Sequence, residues 1–189
     1  YDIVFGDWSS DGCSSDLEET FDLISESDYI VFMGHGSPEA FSTNDHIPIF
    51  RVENVDDVDL DTHHPVITGY VSCNTGLLYE DRPSFGTEFI RAGAAAFVAR
   101  NTEEGTPSYF ADHFSDYIEG TGSQGTYRIG DALFELMRES VLRSGDTYRT
   151  TAAQLCIYGD PTLKRNSRET LVFSMPAISA TRFVGPTEG

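Results

Sequence analysis

The sequence predicts an α/β fold, a mainly parallel sheet with helices on both faces. Four short apolar runs rich in β-branched and aromatic residues recur along the chain, at 29–33, 65–71, 94–99 and 153–158. Stretches with apolar residues at helical spacing separate them, and Gly, Pro, Asp and Asn punctuate the boundaries. Continuous apolar strands are buried on both faces, and strand–helix alternation supplies the helices that bury them.

Each element follows from its own pattern. Phe21, Leu23 and Ile24 put apolar groups on one side of a short helix leading into Tyr29-Ile30-Val31-Phe32-Met33, the first buried strand. The segment Ile47–Leu60 has a mixed pattern that fits neither period. Pro65–Val71 is the second strand and ends at Ser72-Cys73. A polar loop leads to a helix over Ser84–Ala92, stopped by Gly93, and Ala94–Ala99 forms the third strand. Phe110, Phe114 and Tyr117 stripe one amphipathic helix; Leu133, Leu136, Met137 and Val141 stripe the next. Ala153–Tyr158 is a fourth strand closed by the turn Gly159-Asp160-Pro161, with Asp160 as turn and cap residue. Beyond Lys164 the character changes: 165–189 reads as a tail in which Leu171-Val172-Phe173 forms a strand, opening a following β-domain.

The charge balance narrows the function. With 31 acidic against 12 basic residues the net charge is -19, and Lys164 is the single lysine. A field of that sign repels nucleic acid and anionic membranes. No apolar run reaches the ~18 residues that span a bilayer. A surface so acidic suits a salt-saturated medium, where ions screen its self-repulsion, so the expected source is a halophilic archaeon. Three cysteines give no disulfide framework.

One segment stands apart. DWSSDGCSSDL, Asp7–Leu17, has no apolar period and resembles a translated sequencing adapter, DWSSDVCSSDL, from which it differs at Gly12. Residues 1–17 are therefore read as an assembly artefact, the core domain as 18–164, and Cys13 carries no functional weight.

Two buried strands end in chemically loaded residues: the first in Gly34-His35-Gly36-Ser37, the second in Ser72-Cys73-Asn74. In an open α/β sheet the site lies beyond the carboxyl ends of the strands, which puts His35 and Cys73 on one rim. An imidazole beside a thiol makes thiolate at neutral pH and later protonates the leaving amine. Gly36, lacking a Cβ, lets its N–H approach a substrate closely, and with the N–H of Cys73 it can hold an oxyanion.

In this arrangement the chain resembles the gingipain-type peptidases of the caspase-like clan. The segments that carry the resemblance are GHGSPEAF (Gly34–Phe41), VSCNTGLL (Val71–Leu78), SFGTEFIRAGAAAFVA (Ser84–Ala99), RIGDALFEL (Arg128–Leu136) and LCIYGDPTL (Leu155–Leu163), in the family's order. The resemblance implies a caspase-like sheet, His35 and Cys73 as the catalytic pair, Gly36 as the oxyanion glycine, a peptide or protein substrate, and an extracellular or cell-surface location. It implies no cofactor, and the acidic surface is suited to structural calcium. The family's acidic residue that orients the imidazole lies upstream of the histidine block, a region replaced here, and is not carried over. The loop from Arg100 to Pro107 corresponds to one lining the specificity pocket; Glu103 and Glu104 there could favour a basic P1 residue, but in so acidic a chain a solvated surface is the preferred reading of them.

Other readings are weaker. His46, His63 and His64 near Asp45 and Asp61 fit no zinc spacing, so no metal site is expected. Gly69-Tyr70-Val71-Ser72-Cys73 is not the G-x-S-x-G elbow of an α/β-hydrolase. Cys156, within an apolar strand, reads as core. The standing alternative is a non-catalytic caspase-like module in a surface or signalling assembly; a CHAT-type peptidase domain would share the dyad but lack the late GDP turn.

Overall fold

A computed structural model of the chain describes residues 2–4, 21–42, 48–69, 72–102, 113–114, 116–118, 128–142, 149–150, 153–164, 169–174 and 179–184. Cys13, His46, Glu103, Glu104 and Phe110 lie outside them.

The elements run β1 (Asp2–Val4), α1 (residues 21–25), β2 (Tyr29–Met33), β3 (His35–Gly36), β4 (Ala40–Ser42), β5 (Pro48–Arg51), a 3-10 helix (Val52–Asp57), β6 (Val66–Thr68), α2 (Phe85–Arg91), β7 (Ala96–Arg100), α3 (Ile129–Leu142), β8 (Leu155–Gly159), β9 (Glu169–Ser174) and β10 (Ser179–Val184). Seven strands form one sheet in the order β1-β10-β9-β2-β6-β7-β8. Its centre, β9-β2-β6-β7, is parallel, with Ile30 opposite both Ile67 and Leu171 and Ile67 opposite Phe97. Both margins are antiparallel.

The central strands are buried on both faces, as continuous apolar runs require. Ile30, Phe32, Ile67, Phe97 and Ala99 point into one core with Ile24 of α1 and Phe85 and Phe89 of α2. The alternate residues Tyr29, Val31, Val66, Ala96 and Val98 point into the other, with Phe114, Ile118 and the Ile129, Ala132, Leu133 and Leu136 face of α3. The period-2 alternation therefore selects which helix each residue meets.

Several expectations change in detail. Val141, expected in the apolar stripe of α3, is 50% exposed; Ser140 takes the buried position and donates its hydroxyl to Leu136 O at 2.7 Å. The unassigned 47–60 stretch contains β5 and the 3-10 helix. β8 runs antiparallel to β7, with Leu155 opposite Arg100 and Gly159 opposite Ala96. The reason is its connection. α3 begins at the amino edge of the parallel strands, where Ile129 N–H donates to Leu163 O, so the chain re-enters the sheet from the opposite edge. In the stretch read as a tail, β9 and β10 are strands of the same sheet, β9 lying directly beside β2. Gly93 ends α2 with φ +105, and a Cβ there would lie 2.9 Å from the Asp61 Cα, so glycine is required by conformation and by space. Among the described residues no helix is long and apolar enough to cross a membrane.

Candidate active site

Parallel neighbours β2 and β6 end at the same rim, and the two loaded segments leave from there. The histidine segment is more built than a loop. His35-Gly36 pairs with Phe41-Ser42 as a tight antiparallel hairpin, extended by β5 into a separate three-stranded sheet. Ser37 holds its turn: its N–H donates to Ala40 O at 2.8 Å, and its hydroxyl accepts from the N–H groups of Glu39 (3.2 Å) and Ala40 (3.0 Å). Phe41 anchors the hairpin, stacking on Phe32 at 4.0 Å and leaning on Phe85 at 4.5 Å. The arrangement leaves His35 exposed and Gly36 half-buried.

Cys73 sits, half-buried, in the turn 72–76 beyond β6. Asn74 takes φ +57, a conformation that asparagine tolerates better than most residues, and this folds the chain back just after the thiol. The turn is tied down from within and from β7. Thr75 donates its hydroxyl to Gly69 O (2.8 Å), Asn74 N–H donates to Thr102 O (3.0 Å), and Gly76 N–H donates to Arg100 O (2.8 Å).

Gly36 brings the two segments together. A Cβ at this position would lie 2.7 Å from Ser72 Cβ, 2.8 Å from Thr75 Cγ2 and 2.9 Å from the Cys73 carbonyl oxygen. The strand carrying His35 therefore packs backbone-first on the turn carrying Cys73. This gives the glycine a packing reason besides the oxyanion role anticipated for it.

Sequence reasoning missed the supports beneath the turn. Arg100, expected to open the loop that lines the specificity pocket, is the last residue of β7 and is fully buried. Its guanidinium donates to Thr102 Oγ1 (3.1 Å) and Gln154 Oε1 (3.2 Å). Tyr158 donates its hydroxyl to Gly76 O at 2.5 Å, and its ring fills the space where a Gly86 side chain would go, 2.9 Å from a Cβ there. Burial, followed by the neighbouring Cys156, pushes the Tyr158 phenol well above its ordinary range. The only advance signals were an arginine closing an apolar run and a tyrosine in YGDP.

The second thiol, Cys156, is partly buried rather than core. It donates to Asn101 Oδ1 at 3.2 Å, and its sulfur lies 2.6 Å from where a Gly76 Cβ would fall. Burial pushes this thiol up. Asp160 closes the turn as expected, accepting from Thr162 N–H and Oγ1 at 2.8 and 2.7 Å, and those bonds lower its carboxyl pKa. On the loops flanking the site, Arg82 pairs with Glu39 and stacks over the Tyr79 ring at 3.8 Å.

His63 and His64 are elsewhere, at the amino edge of the sheet. Among the described residues no group of three or more His, Cys, Asp or Glu is disposed to hold a metal ion.

The fold has solved counterparts. Gingipain R (RgpB), an Arg-specific cysteine proteinase, matches with a TM-score of 0.62 and 17% identity over 78% of this chain. The complex of Porphyromonas gingivalis RgpB pro- and mature domains matches at 0.56, with 17% identity over 78%. The chain spans only about a third of those proteins, 35% and 36% of their lengths. No curated protein shows significant similarity to it. The sequence profile of peptidase family C25 matches residues 5–166, most of the chain and a span that includes 7–17. The chain belongs to peptidase family C25 and has the gingipain, caspase-like fold.

Proposed function

We propose that this chain carries the catalytic centre of a cysteine endopeptidase, with Cys73 as nucleophile and His35 as its proton-transfer partner. The observation that carries this reading is the packing of Gly36 on the Ser72–Thr75 turn, which puts the residue next to His35 against the backbone of Cys73. Family membership supports the reaction class. The placement of the thiols supports the choice of cysteine: Cys73 lies on the turn that packs against Gly36, whereas Cys156 lies within β8, where burial pushes its thiol up.

The reaction balances without a cofactor. The Cys73 thiol proton passes to His35, and the thiolate attacks the scissile carbonyl carbon. The N–H groups of Gly36 and Cys73 hold the resulting oxyanion. Collapse breaks the C–N bond, His35 protonates the departing amine, and a thioester remains. Water then attacks, giving one proton to His35; the C–S bond breaks, the acid is released and the thiol regains its proton.

The substrate is a peptide or protein. The net charge of -19 is read as a solvated surface, and in a high-salt medium it is screened within a few ångströms, so P1 preference is left to the probe panel below. We also infer an extracellular or cell-surface location and a high-salt source, the latter from the net charge of -19. Resequencing the locus across the first twenty codons tests the adapter reading of residues 7–17; an uninterrupted native read would refute it.

The decisive experiment is labelling with a thiol-reactive peptide probe, varied at P1. Modification should fall on Cys73 and vanish in Cys73→Ala and His35→Ala. Labelling at an unchanged rate in His35→Ala would sink the dyad. Absence of labelling in the folded native chain would favour the non-catalytic module.

A further inference from the structure

At the edge of the sheet opposite Cys73, a cavity of about 560 Å³ opens among Asp28, His63, His64, Val66, Ile129 and Lys164. It lies at the amino ends of β2, β6 and β7, whereas His35 and Cys73 lie past the carboxyl ends. Its size is that of a small-molecule pocket.

Its walls have two characters. Val66, Ala94, Ala95, Ile129 and Leu163 supply an apolar lining. The polar groups are mostly cationic or protonatable, which is unexpected in a chain of net charge -19. Lys164, the only lysine of the sequence, lines the cavity, and its backbone bridges to that of Arg128. Both imidazoles are held by Nδ1: His64 Nδ1 lies 2.8 Å from Gly93 O, and His63 Nδ1 lies 3.2 Å from Asp28 Oδ1. A carbonyl and a carboxylate only accept, so each Nδ1 donates and Nε2 is the ring nitrogen left to meet a ligand. Asp28, the one carboxylate among the described lining residues, is thereby partnered by an imidazole. The first N–H groups of α3 are already taken, Ile129 by Leu163 O and Gly130 by Pro161 O, so the charge facing a ligand comes from side chains.

We propose that this cavity is a second binding site, for a small organic carboxylate with an apolar body. The carboxylate pairs with the Lys164 ammonium, the two Nε2 atoms meet polar groups near that head, and the body lies on the Val66, Ala95 and Ile129 wall. The site stands independently of the peptidase reading, because it shares no residue with it.

The uniqueness of Lys164 makes the test direct. The native chain is treated with an amine-acylating reagent, and modification of Lys164 is followed by peptide mass spectrometry in the presence of 3-phenylpropionate, its neutral amide, or inorganic phosphate. We expect 3-phenylpropionate to slow acylation of Lys164 saturably, with the amide and phosphate each protecting at least about tenfold more weakly. Calorimetric binding of 3-phenylpropionate should weaken about tenfold or more in Lys164→Glu and persist in Lys164→Arg. Lys164 is exposed, so both variants should fold. Equal protection by the amide would overturn the charge half of the proposal, and equal protection by phosphate the apolar half. Unchanged binding in Lys164→Glu, or no protection at all, would overturn the whole.

Discussion

Gly36 and the carbonyl of Cys73 are so close that a Cβ on the glycine would sit 2.9 Å from the oxygen. This contact joins the hairpin bearing His35 to the turn bearing Cys73. Gly36→Ala must push them apart, since the obstacles are backbone and the short side chains of Ser72 and Thr75. We expect a stability loss of about 1–3 kcal/mol by urea denaturation. Labelling of Cys73 by a peptide probe should slow by at least tenfold, roughly what a small misplacement costs. Unchanged labelling would show that the contact does not set the site.

Phe41 fixes the same hairpin from below. Its ring stacks on Phe32 and lies against Gly69, where a Cβ would be 3.0 Å away, so one side chain touches the strand leading to His35 and the segment leading to Cys73. Phe41→Ala should cost about 3–5 kcal/mol, measured by thermal or chemical unfolding. Phe41→Leu should recover much of this.

Tyr158 props the far side of the turn. Tyr158→Phe deletes the 2.5 Å bond to Gly76 O and leaves that carbonyl without its phenol. The expected cost is about 1–3 kcal/mol. The phenylalanine ring still fills the space beside Gly86, so the loss should appear without a change in the packed core, a distinction that core methyl shifts in NMR spectra can test.

The two thiols should differ in reactivity. Burial raises the Cys156 thiol, so its thiolate fraction at neutral pH is small. Iodoacetamide at pH 7 should alkylate Cys73 well before Cys156, as resolved by peptide mass spectrometry.

The same shifts bear on stability at alkaline pH. Cys156 and Tyr158 both hold their protons more tightly in the folded state. Their contribution is fully present below the unfolded values and is lost as pH rises through the folded ones, because the unfolded chain deprotonates first. Stability should therefore decline once pH passes the ordinary thiol value of 9.0. Tyr158→Phe should flatten the upper part of that decline in pH-dependent urea titrations.

Local pattern was enough to find the central strands of the sheet. Residues 29–33 and 94–99 have no competing period, and continuous apolar runs fit little besides strands covered on both faces. The shared rim of the segments carrying His35 and Cys73 was legible because each follows such a run, and parallel neighbours end at the same edge. What the tertiary structure decided depends on partners distant in the chain. Arg100 reads as the start of a pocket-lining loop until Gln154 and Thr102 are folded around it. Val141 fits a helical stripe until the neighbouring layer shows that Ser140 faces inward. Gly36 could be read as glycine for a substrate's sake, but only the assembled site shows that the Ser72–Thr75 turn already fills the space of its missing side chain. Periodicity encodes which face is buried; it cannot encode which distant backbone will press against that face.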